Sequence, residues 1–135
     1  MRPTLAQRAA MVFGVVFLLV GIAGFFTTGG TSMEAHADGP AKLLGLFPVN
    51  LLHNVVHLLF GLAGLGASRI PSASVGFHRI GATIYAVLTV LGLVAPDGFD
   101  LVPLGGNDVW LHAVLALIAA YFGWVHKDER PTIAA

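Results

Sequence analysis

The chain contains no cysteine, which rules out disulfides, thiolate metal sites and cysteine nucleophiles. Charge is scarce as well: only 10% of the 135 residues are Asp, Glu, Lys or Arg, the formal net charge is zero, and no basic patch of the kind that binds nucleic acid is present. No polar stretch is long enough to make a water-soluble domain, so a catalytic or DNA-binding module outside a membrane is excluded by length. What the sequence has in excess is apolar surface. With 56% hydrophobic residues and a mean hydropathy of +0.83, it reads as an integral membrane protein whose first partner is the lipid bilayer.

Four apolar stretches, at residues 9–26, 49–67, 78–95 and 108–125, each approach the ~20 residues that cross a bilayer core. The expected fold class is all-α: a single domain over 1–135, a membrane four-helix bundle running up-down-up-down. Charge placement sets its orientation. Arg2 and Arg8 precede the first stretch, Arg69 and Arg79 separate the second from the third, and Lys127 and Arg130 follow the fourth. Glu34, Asp38, Asp97, Asp100 and Asp108 fall in the other loops, where Lys42 is the one base. By the positive-inside rule both termini are cytoplasmic, and loops 27–48 and 96–107 face outward. The basic start and apolar run resemble a secretory signal, with Ala35-His36-Ala37 as a small-x-small site. The run is too long, and the site too far beyond Phe26, for cleavage, so this segment is expected to stay as the first transmembrane helix.

Several local expectations follow the same logic. Ala41 to Phe47 reads as a short interfacial helix before Pro48, and Ser68 to Arg79 as a polar connection that holds the second and third helices antiparallel. His78, beside Arg79, is expected to anchor at the water boundary. The hydroxyls of Thr83 and Thr89 can bond carbonyls within their own helix, as can that of Tyr85, whose alternative is the bundle interior. Asp108 is a natural N-cap for the fourth helix. Gly14, Gly21 and Gly24 permit close approach of a neighbouring helix.

The most informative stretch is Val49 to Ala67, apolar enough to span a bilayer yet carrying two histidines. Asn50, His53, Asn54 and His57 stand at i, i+3, i+4 and i+7, a polar stripe on a hydrophobic cylinder. Such groups are costly at membrane depth and normally face a bundle interior, a cavity or an ion. On the fourth stretch Asp108 and His112 stand at i and i+4, also on one face. Placing His57 on His112 puts His53 on Asp108, and placing Arg8 on Arg79 puts Gly21 on Gly92. A parallel repeat of two hairpins follows from this alignment, with His57 and His112 one turn, ~5.4 Å, deeper than His53 and Asp108.

Imidazoles at i and i+4 form a bidentate unit for zinc, iron or copper. The candidate metal ligands are therefore His53, His57, His112 and Asp108, with Asn50 and Asn54 in support. A variant holds haem b between His57 and His112. The alternatives are a hydrogen-bonded network that registers the helices in a structural or accessory subunit, at ~0.6 kcal/mol per bond, and a proton-handling histidine cluster. A homo-oligomer or a larger membrane complex is compatible with each.

At NLLHNVVHLLFGLAGL and NDVWLHAVLAL the chain resembles a bacterial family of small four-helix membrane proteins catalogued as a domain of unknown function. The resemblance implies four spans and a bacterial plasma membrane. It implies no activity, so the metal reading rests on side-chain geometry alone.

Overall fold

The first helix, α1 (Leu5–Thr27), begins in a capping box: the Thr4 side chain accepts from the Gln7 amide at 3.2 Å, and the Gln7 side chain accepts from the Thr4 amide at 3.0 Å. Two amides left without helical partners are thereby satisfied. The computed structural model describes residues 2–30, 32–36 and 41–127. Ala37, Asp38 and the tail from 128, with Arg130, lie outside the described residues. After α1 come a two-residue-strand hairpin, β1 (Lys42–Leu43) and β2 (Phe47–Pro48), and then α2 (Leu51–Ala67) and α3 (Pro71–Val94). A short α4 (Gly98–Leu101), α5 (Asn107–Ala120) and a π-helical turn over Tyr121–Val125 complete the chain.

Among the described residues the fold is an all-α bundle carrying only this small hairpin as sheet. Three helical segments among the described residues, Leu5–Thr27, Pro71–Val94 and Asn107–Val125, are long and apolar enough to cross a membrane. The fourth, α2, has 17 residues. At 1.5 Å per residue it is about 26 Å long, somewhat short of a ~30 Å hydrocarbon core. Large apolar side chains cover the outside, among them Leu19, Ile22, Val90 and Leu117. That outer surface is compatible with lipid, where every backbone polar group must find its partner inside the chain, as helices provide.

Small residues decide how the helices pair. A Cβ added to Gly14 would lie 2.9 Å from the Gly61 carbonyl oxygen, and one added to Gly64 would lie 3.0 Å from the Gly14 backbone. Gly21 stands equally close to Leu58, and Gly24 lies directly against the Asn54 amide. So α1 and α2 pack backbone to backbone, as glycine stripes allow in membranes. α3 packs mainly on α5, where Gly92 admits the Leu104 carbonyl and Val109. The two helix pairs meet less extensively.

Polar ties gather the first turn of α1, the α2–α3 turn, α3 and the π-helical turn at one end of the bundle. Gln7 donates to the Ser68 carbonyl at 2.9 Å, His78 Nε2 to the Ala6 carbonyl at 3.1 Å, and Arg79 Nε to the Gly123 carbonyl at 2.7 Å. His78 is fully buried among Phe13, Phe77 and Phe122, where the sequence suggested an interfacial anchor. The difference follows from the helix start. Pro71 occupies the first turn of α3 and lacks only an amide that would be free there. The helix thus begins seven residues before His78 and carries it two turns inward, leaving only residues 68–70 as connection.

The opposite end holds the loops. Ala41 to Phe47 does not form the expected interfacial helix, because Leu44 and Gly45 take positive φ of 55° and 72° and turn the chain back into the hairpin. Phe99 and Asp100 likewise take positive φ in α4. Asp108 is not the N-cap of its helix: α5 starts at Asn107 after Gly106, and Asp108 is buried in the first turn.

Candidate functional site

Between the two helix pairs, toward the loop end, lies a cavity of about 310 Å³. Its polar wall comes from three helices: His53 and His57 of α2, Tyr85 of α3, and Asp108 and His112 of α5. Four of these side chains are at most 6% exposed, namely His53, Tyr85, Asp108 and His112, while His57 is half-buried. The structure thus brings to one cavity the four side chains, His53, His57, Asp108 and His112, that sequence periodicity placed on inward faces.

The remaining walls are apolar. Val12 and Val16 of α1, Leu115 and Ile118 of α5, and Leu43, Leu44 and Phe47 of the hairpin contribute to them. Val12, Val16 and Ile118 are also exposed on the outer surface, at 57%, 48% and 41%. These residues, with Leu44 of the hairpin, carry the lining to the outer surface along α1 and α5, which face lipid if these helices span a bilayer, and at the hairpin turn.

Aromatic contacts run across the interior from α2 to α5. The His53 and His57 rings are 4.4 Å apart, His57 and Phe17 5.4 Å, Phe17 and Tyr85 6.0 Å at 15° between planes, and Tyr85 and His112 5.7 Å at 24°. Sequence reasoning assigned Phe17 no role and gave Tyr85 the interior only as an alternative. The available signals were spacings: Phe17 shares an inner face with Gly14, Gly21 and Gly24, and Tyr85 shares one with His78 and Gly92.

The hydrogen-bond inventory is unusual. Among the described residues no hydrogen bond joins His53, His57, Asp108 and His112, and Nδ1 of each imidazole and Oδ2 of Asp108 are buried without a partner. The His53 ring has the Pro48 backbone as a neighbour. Buried polar atoms are nearly always paired, so the four orphans around this cavity call for partners that the described residues do not supply. Asn54 Oδ1 and His78 Nδ1, away from it, are orphaned as well. Among the described residues no group of three or more His, Asp and Glu side chains is disposed to hold a metal ion.

Asn50 and Asn54 have other employment. The Asn50 side chain caps α2 by accepting from the His53 amide at 2.8 Å and donates to the Leu101 carbonyl at 2.8 Å, tying the helix to α4. Asn54 donates to Thr28 Oγ1 at 3.4 Å and lies against Gly24 of α1. Neither lines the cavity.

No curated protein and no solved structure matches the chain. Over residues 7–125, nearly its whole length, the chain belongs to the family described as Domain of unknown function (DUF4383).

Proposed function

We propose that the protein is a membrane-embedded binding protein whose interior cavity receives a small lipid-soluble molecule, with His53, His57, Asp108 and His112 as its polar contacts. The observation that carries this reading is the combination of orphaned polar atoms and a lining that reaches the outer surface at one cavity. A hydrogen-bonded register network would have joined these side chains to one another, and no such bond is present among the described residues. Ligand pockets commonly pair a mostly apolar lining with a few convergent polar groups and begin near ~300 Å³.

In this reading the chain crosses a bacterial plasma membrane four times with both termini cytoplasmic, on the strength of charge placement and of α2 packing along α1. The cavity then lies in the outer half. A second reading is divalent metal binding, by zinc, iron or copper, favoured by the His53 and His57 rings at 4.4 Å. The experiment is organic extraction of protein purified in mild detergent, analysed by mass spectrometry, alongside elemental analysis of the same sample. A stoichiometric small molecule that is lost when Leu115→Trp fills the cavity supports the first reading. Stoichiometric metal lost in a His53→Ala, His57→Ala variant supports the second. A Soret band would replace both with haem b between His57 and His112, and a co-purifying protein with neither ligand would favour an accessory subunit.

A further inference from the structure

The cavity specifies the shape of its occupant more narrowly than lipid solubility does. Its titratable groups come from two helices, the imidazoles of His53 and His57 on α2 and the carboxyl and imidazole of Asp108 and His112 on α5. Among the described residues no lysine or arginine lines it, and Asp108 places a carboxyl there, so a phosphate or carboxylate headgroup would find no fixed cation among them. A single alcohol would satisfy only some of the four orphaned atoms. A flat ring carrying two oxygens can reach groups of both helices.

From this we infer that the site binds the ring of an isoprenoid quinone, in its oxidised and its reduced form. The inference rests on the reading of the cavity as a ligand site and names the ligand's class. Imidazole can donate through one ring nitrogen and accept through the other, and a carboxyl can accept when ionised and donate when protonated. The same four side chains therefore serve a ring whose oxygens only accept as a quinone and also donate as a quinol. Phe17, Tyr85 and His112 supply a nearly parallel array of rings for stacking, with interplanar angles of 15° and 24° along it. The aliphatic tail leaves past Val12 and Val16 on α1 and Ile118 on α5, where the lining reaches the outer surface, directly into the acyl chains.

The test uses the full chain in phospholipid nanodiscs, titrated with a short-tailed ubiquinone and a short-tailed menaquinone. A prenol of matched chain length, lacking the ring, serves as comparator. Saturable binding of at least one quinone is expected, at least tenfold tighter than the prenol. His112→Phe or Asp108→Leu should weaken it by on the order of tenfold each, the loss of one or two hydrogen bonds. Leu115→Trp should abolish it. Absence of saturable quinone binding by the wild type overturns the inference, and this comparison depends on no variant. Equal affinity for quinone and prenol, with both blocked by Leu115→Trp, overturns the quinone assignment but leaves the cavity as a ligand site. Quinone binding that survives Leu115→Trp unchanged overturns both.

Discussion

Gly14 and Gly61 face each other so closely that a Cβ built on either would lie 2.9 Å from the carbonyl oxygen of the other. This reciprocal contact sets the spacing of α1 and α2, and through it the position of Phe17 against His57. Gly14→Ala or Gly61→Ala is expected to force the two backbones apart and to destabilise the protein by about 1–3 kcal/mol, the usual range for an overpacked interior. Thermal unfolding in detergent measures it. Gly66→Ala, at a helical glycine with nothing within 4 Å of its Cβ position, is the control and should leave the midpoint unchanged or raise it slightly.

On the proposal that the cavity takes a ligand, its unpaired polar groups should weaken the empty protein. Among the described residues His112 Nδ1 is buried without a partner, and its ring stacks on Tyr85. His112→Phe keeps the ring and removes the orphan, so the ligand-free protein should gain on the order of 1 kcal/mol. The same variant should bind its ligand less well. Chemical unfolding of delipidated wild type and variant checks the sign, and a marked loss of stability would mean that His112 has a structural partner.

How much of this was legible beforehand depends on the element. The inward faces of α2 and α5 were readable because His53, His57, Asp108 and His112 repeat at four-residue intervals in otherwise apolar segments. Within the stripe the sequence could not apportion the residues. His53 and Asn54 are adjacent and so point about 100° apart on a helix, one toward the cavity and the other toward Gly24. Only the position of α1 reveals that the stripe straddles two neighbours. The hairpin was hidden because two paired residues per strand are too few for an alternating pattern, and its turn puts Leu44, not a typical left-handed residue, at a positive φ. His78 was misplaced because Ser72 and Ser74 look like loop residues, whereas Ser74 is buried and bonds the carbonyls of Ala67 and Ile70.

Asn50 provides a separable pair of interactions. Its Oδ1 accepts from the His53 amide and its Nδ2 donates to Leu101. Asn50→Asp keeps the acceptor and loses the donor, and Asn50→Ala loses both. Loss of an N-cap costs about 1 kcal/mol, so Asn50→Ala should destabilise the fold by at least that amount. Asn50→Asp carries a different penalty, a buried charge set against the Leu101 carbonyl. If Asn50 acts through structure rather than by touching ligand, Asn50→Ala should reduce thermal stability well before it alters the affinity of the folded protein.

The absence of cysteine makes the membrane orientation directly testable, since a single introduced thiol has no competitor. Leu44, 82% exposed at the hairpin turn, and Ile70, 56% exposed between α2 and α3, mark opposite ends of the short helix α2. A membrane-impermeant maleimide applied to intact cells should label Leu44→Cys and should reach Ile70→Cys only after permeabilisation. The reverse pattern would invert the topology inferred from Arg2, Arg8, Arg69 and Arg79. Labelling of both sites from outside would mean that 17 residues do not carry α2 across. The cavity would then lie at the water boundary, where an exit for a lipid-borne tail loses its purpose.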